Sequence, residues 1–380
     1  MKRPTVTIVI PTRGRPDLLK DAITSALLQN HADFEVYVSD NFNDDRTERV
    51  VRSFRDARLK YVRTTHLMNM PDHWEFASQL GSGEFITFLT DRSVLKAGSI
   101  EFAASEMEKY PGTEICAWRW SMFDDDGGFE FNDFDLSAGE VELLKSSDLI
   151  SEFCNGHSAN ILYHRVPLPN SAMFSRSLAN RIRASSGRFV WGATPDITAG
   201  FLMLDHSSSI LFIDKPLFIA QGLKVSNGLR AYGGQDTGYM ETLDVTFGRT
   251  PFKGELISSI LFEDFLAMQE KSVGELAASK LRMARYYAFC LNEIERGYQV
   301  NAIPVSRYSH LMDKWRTGVA ELDAEERSVV WRFCWKLRLS ILKMQLKRIV
   351  SAVGIKGPVR KVREASRTKR NAMQCAGFNV

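Results

Sequence analysis

Thr5-Val-Thr-Ile-Val-Ile-Pro-Thr12, Phe34-Glu-Val-Tyr-Val-Ser-Asp-Asn41 and Gly83-Glu-Phe-Ile-Thr-Phe-Leu-Thr-Asp91 decide how this 380-residue chain is read. Each holds a β-branched and aromatic run of strand length, and Pro11, Asp40 and Asp91 are the residues expected to stop the runs. Arg58-Leu-Lys-Tyr-Val62 adds a fourth. Between the first two, Leu18, Leu19, Ala22, Ile23, Ala26 and Leu27 recur at helical spacing behind Pro16, which suits a helix's first turn. Further helices are expected over 44–54 and around 71–80. This alternation predicts an α/β fold with a mostly parallel sheet flanked by helices. Ligands of such open sheets sit beyond the carboxyl ends of the strands, so Thr12, Asp40 and Asp91 are candidates for one cleft.

At these residues the chain resembles glycosyltransferase family 2, inverting enzymes of the Rossmann-like GT-A fold that take sugar from a nucleotide diphosphate donor. The carriers are Ile8-Val-Ile-Pro-Thr-Arg-Gly-Arg15, Ser39-Asp-Asn-Phe-Asn-Asp-Asp-Arg-Thr47 and the Gly83–Asp91 run, and the resemblance extends over roughly residues 4–225. It implies a nucleotide-sugar donor held by Pro11, Thr12, Arg15 and Asp40, with Asp91 beside the ribose and diphosphate. One departure stands out. The family carries two or three acids where this chain reads Thr90-Asp91-Arg92-Ser93. Magnesium and manganese want carboxylate oxygens, so Asp91 is left as a lone candidate ligand for a divalent metal. Arg92 could instead pair with phosphate oxygens of the departing diphosphate, or point to solvent or to a helix carboxylate in a protein whose donor site is weakened.

Inverting transfer also needs a base. Arg188-Phe-Val-Trp-Gly-Ala-Thr-Pro-Asp196 resembles the Pro-Asp segment where related transferases place it, which makes Asp196 the catalytic candidate; capping a helix is the alternative role for the same residue. His157, near Asn160, and Trp191 are acceptor-pocket candidates. Trp118, Trp120 and Trp191 could stack on a sugar or fill the core. Asp124-Asp-Asp126 lacks the spacing of a calcium loop and reads as a polar turn after a strand over 114–120. A strand over 210–219 precedes a Gly-rich stretch in which Lys224 or Arg230 could close over the diphosphate, a plain linker being the alternative.

The remainder divides into a helical region over 236–330 and a basic segment over 331–380, behind a transferase domain over 1–235. Helices are expected over 256–268, 273–296 and 307–321. Residues 331–370 hold thirteen Lys or Arg against Glu364 alone, while the whole chain carries only +3. Trp331, Trp335, Leu339, Leu342, Leu346, Ile349 and Val353 step by three or four beside these cations. The pattern fits an amphipathic helix lying on an anionic membrane surface, where a lipid-linked or other glycan acceptor would be met, or a helix packed on the domain. No nucleic-acid recognition motif accompanies the charge. No run reaches the roughly 18 apolar residues of a membrane span, and five scattered cysteines fit a reduced, cytoplasmic protein, peripheral to the membrane's inner face if the basic helix binds it. The readings are therefore a glycosyltransferase of surface polysaccharide synthesis, a catalytically silent nucleotide- or glycan-binding relative, or a peripheral membrane scaffold.

Overall fold

The computed structural model describes residues 6–30, 33–42, 44–131, 140–156, 165–222, 238–243, 245, 247–299, 302–335, 337 and 371–378. Strand β1 (Val6–Thr12), helix α1 (Pro16–Leu27), β2 (Phe34–Asp40), α2 (Asp45–Arg52), β3 (Leu59–Arg63), α3 (Met70–Ala77) and β4 (Phe85–Phe88) alternate as the sequence predicts. β5 (Ser93–Leu95), α4 (Ser99–Glu108), β6 (Ile115–Asp124), β7 (Phe129–Phe131), β8 (Val141–Lys145) and α5 (Ser146–Asn155) come next. They are followed by β9 (Ala172–Ser175), α6 (Arg176–Ser186), α7 (Pro195–Asp205) and β10 (Ser209–Ala220). The sheet order is β3-β2-β1-β4-β9-β6-β10-β5, with β7 on β6 and β8 on β10. β1 to β4 are parallel; β9 runs against β4 and β6, so β6 and its parallel neighbour β10 point the same way as the first four. The carboxyl ends of six strands therefore open on one edge.

Strand alternation divides the core into two layers. Ile8 and Ile10 face α1 and α4 with Leu19, Ile23 and Ile100, whereas Val9 faces the opposite layer with Trp74, Phe153 and Phe174. That second layer runs without a break into helices α8 (Ile257–Lys271), α9 (Glu275–Ala278), α10 (Met283–Gln299), α11 (Val305–Ala320) and α12 (324–335). Phe153 makes ring contacts with Phe201 and Phe265 at 4.7 and 4.6 Å, tying α5, α7 and α8 together. A short helix α13 (Ala372–Cys375) packs Ala372, Met373, Ala376 and Phe378 over Val94 and Ile219.

Some expectations fail for local reasons. Pro11 does not stop β1: β4 stops pairing at Phe88 opposite Val9, so beyond that point the missing proline N–H deprives no ladder. Asp91 is not a strand end either. Ser93 N donates to Thr90 O at 2.9 Å, closing a turn whose two central residues are Asp91 and Arg92. The helix expected over 273–296 breaks into α9 and α10, because the Gln269 amide donates to the carbonyls of Leu276 and Ser279 that a continuing helix would use. On α12 the buried side chains are Val330 and Cys334; Trp331 and Trp335 are 53% and 68% exposed, Trp331 meeting the buried Trp315 of α11 only edge-on, with ring centres 6.5 Å apart. Leu339, Leu342, Leu346, Ile349 and Val353 lie outside the described residues.

Candidate functional site

Register brings the predicted donor residues into a row. Thr12 pairs with Asp40 across β1 and β2, and Asp40 pairs with Arg63 across β2 and β3. The Asp40 side chain is fully buried, and its Oδ2 accepts from Tyr61 Oη at 2.7 Å and Arg63 Nε at 3.1 Å. Its Oδ1 has no hydrogen-bond partner among the described residues. A buried carboxylate oxygen in that condition is costly unless a ligand donor completes it. Tyr61 and Arg63 were not singled out from sequence, although their place at the end of the Leu59–Arg63 run was the available signal. Behind β2, the Ser39 hydroxyl meets His73 Nε2 at 2.9 Å; burial of this imidazole lowers its pKa from 6.5 to about 4, so it is neutral near pH 7.

Gly83 sits where it must. A Cβ there would lie 2.6 Å from the Thr7 backbone nitrogen, and its N–H donates to Thr7 Oγ1 at 2.9 Å, which seats the start of β4 against β1. Downstream, Asp91 accepts from Thr12 Oγ1 at 2.9 Å through one oxygen and from Arg15 Nη1 at 3.0 Å through the other. Thr12, Arg15 and Asp91 thus form one bonded unit, and Pro11 lies one residue before Thr12 on β1.

Arg92 follows Asp91 in the turn after β4. Its Nη1 donates to the carbonyl of Gln221, just past β10, at 3.3 Å. Desolvation by burial and the neighbouring Arg15 lower its pKa, while the charges of Asp91, Asp125 and Asp196 act the other way. The Asp124–Asp126 run does form a turn, with Asp124 Oδ1 accepting from the N–H groups of Asp126 and Gly127. Sequence reading missed that Asp125 reaches the cleft, where it accepts from Gly222 N at 3.2 Å. These residues do not fit a divalent cation: both oxygens of Asp91 are engaged, one by a guanidinium, and Arg92 brings a second positive charge.

Asp196 occupies the second position of α7, behind Pro195, and Thr194 holds the cap position, so the capping role considered for Asp196 does not apply. Its Oδ1 accepts from Ile197 N at 3.0 Å. Burial raises its pKa, partly offset by backbone N–H groups and by Arg92. Trp118 is buried in the core, which removes it from sugar stacking, and Trp120 is partly buried and stacks on Phe218. Trp191 is partly buried beneath Lys271 Nζ, 4.9 Å from its ring centre. His157, Asn160, Lys224 and Arg230 lie outside the described residues.

Away from the cleft, Ala284, Ala288, Val329, Phe333, Trp331 and Trp335 line a groove of about 540 Å³ between α10 and α12. Among the described residues no helix is long and apolar enough to cross a membrane.

Comparison with known proteins agrees with the fold. A crystal structure of S. aureus TarS 1–349 in complex with UDP-GlcNAc superposes with a TM-score of 0.51 over 88% of this chain and 80% of that one, at 13% identity. The same protein with UDP gives 0.50 over 83% and 92%. At that identity the likeness is one of fold. In sequence, the chain is 34% identical over 100 residues to a GalNAc(5)-diNAcBac-PP-undecaprenol beta-1,3-glucosyltransferase of Campylobacter jejuni, covering 26% of this chain. It is 29% identical over 148 residues to the UDP-Glc:alpha-D-GlcNAc-diphosphoundecaprenol beta-1,3-glucosyltransferase WfgD of Escherichia coli, covering 39% of this chain. The chain spans 32% and 50% of the lengths of these two relatives. Residues 7–183, which carry β1 to β9 and the donor row, match the family model described as glycosyl transferase family 2, and this part of the chain belongs to that family.

Proposed function

We propose that the protein transfers a sugar from a UDP-sugar to a hydroxyl of a lipid-linked glycan, with inversion, in the synthesis of a surface polysaccharide. What supports this is that Asp91, held by Thr12 and Arg15 at the end of the strand row, is followed directly by Arg92, whose charge acts on Asp196 of α7. Asp40 Oδ1 is an acceptor waiting for the N–H of a base such as uracil, and Thr12, Arg15 and Asp91 hold the ribose end. UDP and undecaprenol-linked acceptors are drawn from what the curated relatives are named for.

The reaction is one displacement. Asp196 accepts the acceptor hydroxyl's proton as that oxygen bonds to the anomeric carbon; the bond from this carbon to the diphosphate breaks, and its electron pair leaves on the nucleotide. Arg92 takes up the charge that develops there. One hydrogen bond to Gln221 leaves most of its donors for phosphate oxygens, and its position needs no reorganisation at the moment of bond cleavage. His157, Trp191 and Lys224 are assigned to the acceptor side and the closing loop on the family resemblance.

The exposed Trp331 and Trp335, at the head of a segment with thirteen cations, support contact with an anionic membrane surface, as a lipid-linked acceptor requires. This reading puts the protein at the cytoplasmic face as a peripheral enzyme.

Asp196→Asn tests the proposal. Transfer from UDP-sugar should fall about 10²–10⁴-fold while UDP still raises the melting temperature, with or without chelator. A protein that binds UDP but has no turnover to lose is the silent relative; no response to any nucleotide sinks the transferase reading.

A further inference from the structure

Trp191-Gly-Ala-Thr194, the segment that delivers Asp196, is held by side chains that come from far along the chain. Thr194 N and Thr194 Oγ1 donate to Asp264 Oδ2 at 2.7 and 2.6 Å, and Ala193 N donates to Asp264 Oδ1 at 3.2 Å. From another side, Tyr239 Oη donates to the Ala193 carbonyl at 2.9 Å. Thr198, one turn into α7, donates from its hydroxyl to Trp191 O at 2.6 Å and from its N–H to Thr194 O at 2.9 Å. Gly192 makes the approach feasible: its φ is +79°, and a Cβ on it would fall 2.6 Å from Asp264 Oδ1. Asp264 itself is 2% exposed, on the face of α8 that packs against α7.

Such an arrangement exceeds what starting a helix requires. An ordinary cap contributes one side-chain acceptor from the adjoining residue. Here a buried carboxylate seventy residues downstream fixes two consecutive peptide N–H groups and a hydroxyl, immediately before the proline that leads into Asp196. Pro195 has a fixed φ, so the direction set at Ala193 and Thr194 is passed to Asp196 with little slack.

We infer that Asp264 is a positioning residue for Asp196, with Tyr239 as its counterpart across the Gly192–Thr194 turn, so that the helical region beyond β10 sets the aim of the base in the transferase cleft. The inference rests on the reading of Asp196 as base. Neither residue belongs to the donor row, so their loss should be felt in the chemical step and not in donor binding. An error of about 1 Å in the placement of a reacting group costs about 10²-fold in rate.

The test is steady-state kinetics of the full chain with UDP-sugar, comparing Asp264→Asn, Tyr239→Phe and Asp196→Asn. Asp264→Asn turns an amide N–H₂ toward N–H donors; kcat should fall about 10²-fold with donor KM unchanged within about twofold. Tyr239→Phe removes one hydroxyl, and should give a smaller fall, about tenfold, with the same split; it decides the matter if Asp264→Asn does not fold. Full activity in Asp196→Asn removes the base itself. Wild-type kcat in Asp264→Asn and Tyr239→Phe beside an inactive Asp196→Asn overturns the positioning role alone, as does a kcat loss matched by a rise in donor KM.

Discussion

The proposed donor row and the proposed base are built in opposite ways. Asp40, Thr12 and Asp91 stand at or just beyond the ends of neighbouring strands within the first ninety-one residues, and their positions follow from sheet register alone. The segment leading into Asp196 is bonded by Asp264 from α8, at Thr194, and by Tyr239 from beyond β10, at Ala193, and Asp196 lies in the field of Arg92 from the turn after β4. A site drawn from adjacent strands is rigid by virtue of the sheet. A site assembled from distant helices is only as well placed as the core beneath it, here the Phe153, Phe201 and Phe265 cluster.

The sharpest way to break this contrast is at Arg92, which belongs to both halves. Arg92→Ala should lower kcat about 10²–10³-fold, by loss of charge stabilisation at the leaving group, and chelator should leave the wild-type rate unchanged. A wild-type rate that collapses with chelator would return the metal to the site. Acidification probes both halves at once. His73 has its pKa depressed to about 4 in the folded protein against 6.5 unfolded, so the unfolded chain binds the extra proton first and stability falls as pH drops through that window. The full loss is about 3 kcal/mol, seen as a fall in unfolding free energy between pH 7 and 4 that is flattened in His73→Gln. Asp196 has the opposite displacement: burial raises its pKa, so kcat should decline at a higher pH than an exposed aspartate would give.

Asp40→Ala removes the acceptor proposed for the uracil and should weaken UDP binding by about 1.5–3 kcal/mol, measured by calorimetry, with kcat at saturating donor little changed. The smallest effect separates fold from function. Asn69 caps α3 by accepting from Asp72 N at 2.8 Å, so Asn69→Ala should cost about 1 kcal/mol of stability and leave both kinetic constants alone.

What sequence made visible follows the same division. Strand-length runs such as Phe34–Asp40 are local, and their polar ends mark one edge of the sheet, so Thr12, Asp40 and Asp91 could be grouped together with the sheet that aligns them. Asp264 could not be found this way, because nothing near Phe262-Glu-Asp-Phe265 differs from an ordinary helix until α8 is laid against α7. Asp125 was read correctly as part of a turn and incompletely as a neighbour of Arg92, since the hairpin's reach is set by strand length and twist. Pro11 misled because a proline in a strand is harmful only where a neighbour needs its N–H. Trp331 and Trp335 had an apolar stripe in common with residues farther on, but the helix that carries them buries Val330 and Cys334 instead.

Residues 371–378 carry a lesson for anyone trimming the chain. Ala97 N donates to Ala376 O at 2.9 Å, and Met373 and Phe378 cover Val94 in β5, the strand that begins one residue after Arg92. Residues 371–378 therefore form a buttress behind the turn that carries Arg92. Excising everything after residue 330 to test membrane contact would strip that support and confound lipid binding with a damaged donor site. Replacing only the cations within 338–370 keeps the backing on β5 and lets the two effects be told apart.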